Sequence, residues 1–248
     1  MSRLAHRWLL PFFDRRAFLR MAALPRFFAE FRAFKSGSGS QSVRFGDTHP
    51  CLLERTASTP FDPHYFYQGA WLARRLAANR PADHVDVGSS VLMISVLSAQ
   101  VPTTFVDIRP LETDLSDLKS MAGSITALPF DTKSQASVSC LHVIEHIGLG
   151  RYGDPIDAEG ARKGLAELQR VVAPGGRLYL STPVGRARVC FNAHRVFDPK
   201  TIIAGLPELT LSAFSLVDDA GRLTSNCDPS LAGSLEYGCG FFEFVRPV

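Results

Sequence analysis

The chain has 248 residues, 46% hydrophobic and 21% charged, enough apolar material for one sizeable core, and this composition excludes a disordered chain. Its formal charge of +3 is uneven: Met1 to Lys35 carries eight basic residues against Asp14 and Glu30, a net of +6, which leaves −3 elsewhere and argues against a nucleic-acid face on the main domain. Five cysteines, at 51, 140, 190, 227 and 239, show no CxxC pairing, so neither a disulfide framework nor a cysteine zinc site is expected, and reduced thiols suit a cytoplasmic location.

The basic start is also aromatic, with Trp8, Phe12, Phe13, Phe18, Phe27, Phe28, Phe31 and Phe34, and Pro11 and Pro25 divide it into short pieces. Arginines interrupt every apolar run well before the roughly 18 residues a spanning helix requires, and they also break up any signal-peptide core. Two readings stay open: a peripheral anchor on anionic lipid at the inner face of a membrane, or helices that pack on protein. "SGSGS" at Ser36 to Ser40 reads as a linker, dividing an N-terminal helical segment (1–40) from a working domain (41–248). His64 to Arg80 then reads as a helix with Tyr65, Leu72 and Leu76 on one stripe, ending before Pro81.

From Asp83 short apolar runs alternate with helical stretches. "HVDVG" is a strand followed by the helix "VLMISVLSA"; "TTFVDI" is a second strand and "ASVSCL" another. "AEGARKGLAELQRVV" is a helix closed by Pro174, Gly175 and Gly176, "RLYLSTP" is the next strand, and "LTLSAFSLV" and "GFFEFVRP" form a final pair. This alternation predicts an α/β fold with a mostly parallel sheet and one antiparallel strand near its edge.

Such sheets bind ligands beyond the carboxyl ends of their strands. Gly88 in "VDVGSS" permits a tight turn, Ser89 and Ser90 offer amides and hydroxyls to an anionic group, and Asp107 closes the second strand about 20 residues later, the spacing of a ribose-binding carboxylate. Asp107 can also be read as an ordinary strand-end cap. The later glycines of GxGxxG are missing, so a pyrophosphate fits poorly and a nucleoside with a compact anionic end, such as S-adenosylmethionine (SAM), fits better.

With these motifs in place, the sequence from Asp83 onward resembles the Rossmann-like class I SAM-dependent methyltransferases. "VDVGSS" is similar to their first motif, "FVDI" to their second, "SITALPFDTKSQASVSCLHVIEH" to their third and fourth strands, and "ELQRVVAPGGRLYLSTPVG" to their fifth-strand region. More narrowly, "SCLHVIEHIGLGRYGDP" with "FNAHRVF" resembles an uncharacterised methyltransferase-like family of unknown function, associated with surface-polysaccharide pathways. The resemblance implies Asp86 and Gly88 at the methionine end of SAM, with Ser89, Ser90 and His142 nearby. It implies Asp107 on the ribose, and Ile108, Ser124 and Ile125 around adenine, with Ser124 and Ser90 replacing the usual aspartate and glycine.

"HVIEH" (His142 to His146) also spells HxxEH, a zinc pattern when it lies on a helix. The small and β-branched residues before it favour a strand, and no further ligand is evident, so no metal is expected. For hydroxyl methylation, His146 or His194 is the candidate base, with Glu145 orienting one of them; Arg151, Tyr152, Asp154, Asn192 and Arg195 are candidates to hold a polar acceptor. The function expected is O-methylation of a sugar or surface-glycan intermediate. A non-catalytic interaction module of the same fold and an HxxEH zinc hydrolase are the alternatives.

Overall fold

A computed structural model describes residues 15–37 and 44–248, and the expectations for Arg3, Arg7, Trp8, Phe12, Phe13 and the linker residues Ser38 to Ser40 lie outside them. The chain divides into two compact units, one ending at Phe61 and the other running from Asp62 to Val248. In the first, α1 spans Arg15–Gly37 and contains Pro25. The sequence predicted a break there, but proline removes a single N–H donor and its fixed φ is close to helical, so the flanking turns continue the helix. Ser36 and Gly37 likewise belong to the helix rather than the linker. The chain that follows folds back on it: Phe45 meets the rings of Phe28 and Phe31 at 6.2 and 6.0 Å, and Arg26 donates to the Leu52 carbonyl at 3.0 Å. Phe18, Leu19, Met21 and Phe34 stay exposed. Among the described residues no helix is long and apolar enough to cross a membrane.

The second unit opens with α2, Pro63–Asn79. Asp62 caps it by accepting from the His64 and Tyr65 amides, Pro63 has no amide to leave unpaired, and Arg80 ends it in the left-handed region. Its inner face buries Trp71, Leu72 and Leu76. There follow β1 (His84–Val87), α3 (Val91–Leu97), β2 (Thr103–Asp107), β3 (Leu118–Ala122), β4 (Gln135–Leu141), α4 (Gly160–Val171) and β5 (Val172–Val184). A hairpin of β6 (Arg188–Cys190) and β7 (His194–Val196) leads to α5 (Pro199–Ala204), β8 (Thr210–Val217), β9 (Leu223–Thr224) and β10 (Gly238–Val245).

The large sheet has the order β3-β2-β1-β4-β5-β10-β8-β9. Strands β1 to β5 pair in parallel, whereas β10 is antiparallel to both β5 and β8, as the sequence pattern predicts. The short β9 adds one more antiparallel pairing at the margin. Three boundaries differ from expectation. The third strand lies at Leu118–Ala122, upstream of the assigned stretch, because an edge strand buried on one side only carries a weak apolar pattern. Gly175, at φ 73°, and Gly176 form an irregularity inside β5 rather than a stop after the helix, with the register against β4 shifting between Gln135 and Ser137. The β6–β7 hairpin occupies what read as a loop.

Successive residues of β10 point to opposite faces: Phe242 and Phe244 join Ile144, Leu165, Leu168 and Ile202 on one side, and Phe241 joins Trp71, Leu72 and Ile94 on the other. Phe242→Ala should cost about 3–5 kcal/mol, read as a lowered denaturant midpoint with unchanged slope. Replacing the exposed Phe18 by alanine should change stability by less than about 0.5 kcal/mol.

Candidate active site

The site forms where β1, β2 and β4 end. Gly88 follows β1 at φ 71°, and a β-carbon there would stand 3.2 Å from the Val143 side chain, so only glycine suits this close approach. Asp86 does not face the crevice. Completely buried, it accepts from the Ser89 amide at 3.0 Å and from the Ser139 hydroxyl, and burial pushes its pKa up to about 6. Ser139 also meets His84 Nε2 at 2.8 Å, and Ser137 meets Nδ1 at 2.8 Å. Burial lowers His84 to about 3. The Ser89 hydroxyl accepts from the Leu141 amide at 2.9 Å. This chain of contacts ties β1 to β4 and fixes the turn, with Asp86 inside the wall behind it.

Beyond the turn is a cavity of about 790 Å³ lined by Gly88, Ser89, Ser90, Asp107, Ile108, Ser124, Ile125 and His142 among others. Apart from Asp86, the residues assigned to the cofactor are therefore together. Asp107 holds one oxygen on the Arg109 amide at 2.7 Å, while its other oxygen approaches Gly88. Ser124 bonds Thr126 at 2.8 Å and pairs across a tight turn with Ala127. That turn presents a hydroxyl where an aspartate was expected.

A second cavity of about 490 Å³ adjoins the first, and Tyr65, His142, His146 and Tyr152 line both. Its other walls are Asp62, His64, Glu145, Arg151, Asn192, Ala193, His194 and Tyr237, a polar and aromatic set. HVIEH lies in the turns after β4, not on a helix, which removes the geometry that the HxxEH zinc reading requires. His142, at φ 55°, turns its Nδ1 to Glu145 at 2.7 Å and its Nε2 to the Cys239 sulfur at 3.2 Å. Burial alone would lower His142, but the sulfur and the carboxylate on its two ring nitrogens raise it overall.

His146 points elsewhere. Its Nδ1 lies 2.7 Å from the Ala193 carbonyl, a contact that only an N–H can make, so the Nε2 lone pair is the free one. Burial and the nearby Arg151 keep its pKa below the usual histidine value, against the pull of Glu145. His194, half-buried against Tyr237 with ring centroids 5.0 Å apart, is lowered by burial and by His146. Both histidines are thus neutral at pH 7. The guanidinium groups of Arg109 and Arg151 lie over the ring of Tyr152 at 5.1 and 5.0 Å, and Tyr152 lines both cavities.

Asp154 lines the larger cavity but is engaged by the loop itself, accepting from the Gly148 amide at 2.7 Å. Gly148 admits no side chain, since a β-carbon would overlap the Asp157 carbonyl. Arg195 is buried and donates to the Ile147 carbonyl at 2.6 Å, which braces the turn after β4. Sequence reasoning missed Asp62, His64, Tyr65, Tyr237 and Cys239. The "DPHY" cap was legible as a helix start, but nothing local placed it beside residues some 80 to 170 positions later.

This strand order with its crevice is the fold of the class I SAM-dependent methyltransferases. The family described as "Caenorhabditis protein of unknown function, DUF268" is matched over residues 90–212. No match is found among curated proteins. Among solved structures, the [4+2]-cyclase SpnF is similar at TM-score 0.54 and 13% identity, over 73% of this chain and 81% of that one. The N-methyltransferase NodS from Bradyrhizobium japonicum, in complex with S-adenosyl-L-homocysteine, is similar at TM-score 0.51 and 16% identity, over 75% and 89%. Geranyl diphosphate C-methyltransferase from Streptomyces coelicolor, bound to magnesium, geranyl diphosphate and S-adenosyl-L-homocysteine, follows at 0.51 and 11%, over 71% and 79%. These likenesses concern the fold.

The wall beneath the crevice has a pH signature. His84, lowered from 6.5 to about 3, contributes stability above pH 6.5 that is lost as the pH falls toward 3. Asp86, raised from 3.8 to about 6, acts in the opposite sense, its contribution being lost as the pH rises from 3.8 through 6. Between pH 7 and 5 the wild type should lose about 2 kcal/mol more than His84→Gln, seen as a steeper fall in melting temperature; parallel curves would contradict the buried neutral imidazole.

Proposed function

We propose that the protein is a SAM-dependent methyltransferase acting on an oxygen of a sugar or surface-glycan intermediate. The observation that carries this reading is the junction of the two cavities: an Asp107-lined crevice suited to a nucleoside meets a polar, aromatic chamber at His142, His146 and Tyr152. The crevice residues fit SAM. Asp107 would take the ribose hydroxyls, Ile108 and Ile125 would lie against adenine, and the glycine turn leaves room for the amino-acid end. SAM supplies an electrophilic methyl group on a sulfonium.

The chain's own residues supply alignment and a proton acceptor. Tyr65 and Tyr237 offer aromatic surface to a pyranose, and Arg151, Asn192 and Asp62 offer hydrogen bonds to its hydroxyls. His146 would receive the hydroxyl proton on Nε2 as the oxygen takes the methyl, with the Ala193 carbonyl fixing the tautomer. A cytoplasmic enzyme whose basic, aromatic N-terminal segment touches the inner membrane face would sit beside a lipid-linked acceptor.

Calorimetric titration of the full chain with SAM should give micromolar binding that Asp107→Ala weakens about 10–100-fold through lost charge-assisted hydrogen bonds. A folded protein that ignores SAM would overturn the proposal. Once an acceptor is found, His146→Ala should lower kcat by about 10²–10⁴ while SAM affinity is retained, and turnover should decline only below pH 6.5. Equal turnover by His146→Ala would transfer the base role to His194.

A further inference from the structure

We propose that His64, His142 and Cys239 bind a zinc ion at the floor of the smaller cavity. The three come from separate elements, the first turn of α2, the residue after β4, and β10. One donor atom from each lies within 4.8 Å of the others. His142 Nε2 and the Cys239 sulfur are already 3.2 Å apart. Tetrahedral zinc with bonds of about 2.0–2.3 Å needs donors about 3.3–3.7 Å apart, so the half-buried His64 ring, which stacks on His142 and Tyr237, must turn out of that stack to complete the set.

A second observation concerns what lies behind His142. Glu145 is fully buried, and its carboxylate meets His142 Nδ1 at 2.7 Å and Thr182 at 3.4 Å, with no lysine or arginine on it among the described residues. On metal binding the Cys239 sulfur and the His142 Nε2 each give up any proton they carry, which frees both lone pairs for the ion. The carboxylate behind His142 Nδ1 is also the arrangement that fixes the tautomer of a metal-bound histidine and directs its Nε2 to the metal.

One sulfur and two imidazoles suit zinc among the abundant divalent ions. His64 and His142 line the smaller cavity, so the fourth position opens into it, as in catalytic rather than structural zinc sites. An oxygen of a bound molecule would occupy that position. Of the HxxEH pair only His142 belongs to this set; His146, in the turn beyond, is not among the converging donors.

The test is metal analysis of the full-length, untagged protein purified without chelator. About one zinc per chain is expected, and cobalt substitution should give the near-ultraviolet thiolate-to-cobalt band together with the visible bands of a tetrahedral site. His64→Ala, on the partly exposed helix start, and Cys239→Ser should lose the metal, the latter with its thiolate band, while circular dichroism remains native. Glu145→Gln should weaken zinc affinity about 10–100-fold. Asp107→Ala should keep the metal, which separates this site from the SAM reading. Folded wild-type protein that takes up no zinc on titration, or zinc retained at full affinity in both His64→Ala and Cys239→Ser, overturns the proposal.

Discussion

The buried carboxylate of Glu145 is the constraint around which the acceptor end is built. Removed from water and, among the described residues, without a lysine or arginine on it, this group must be compensated locally, and two histidines and a threonine surround it. Its backbone is fixed as well, since the Arg195 amide donates to the Glu145 carbonyl at 2.9 Å, joining the turn to β7. His142 therefore points toward β10 and His146 toward Ala193, and neither ring can turn without abandoning a strong partner.

The crevice depends in the same way on a buried polar chain lying behind it. His84, Ser137, Ser139, Asp86 and Ser89 join β1 to β4 through contacts that are costly to leave unmade in a dry interior. The glycine turn rests on that wall, and Asp107 meets the turn from β2. The two cavities draw on different elements, the larger on the strand ends and the smaller on the start of α2, the turns after β4 and the β6–β7 turn.

The sequence was informative where the pattern is local. Short apolar runs ending in Gly88, Asp107 and Leu141 marked buried parallel strands, and the residues just beyond them line the crevice as expected. It was silent where burial is one-sided or pairing is distant. The half-exposed β3 left little periodicity, and Pro25 suggested a break that one missing hydrogen bond does not impose. Arg195 and Asp154, read as candidates to hold a polar acceptor, both bond backbone groups of the turns after β4, a role no local spacing indicates. Asp86 followed the family motif but turned inward to Ser139. Tyr237 arrives just before the last long strand and Cys239 on it, about 100 residues after His142, and no local spacing connects them.

The most direct test of the account is a crystal structure of the full chain with S-adenosyl-L-homocysteine. The ribose should lie on Asp107, the adenine between Ile108 and Ile125, and the thioether sulfur should face the junction between His146 and Tyr152. A ligand bound elsewhere, or a crevice closed by the protein's own side chains in a crystal grown with excess ligand, would contradict the assignment of the two cavities.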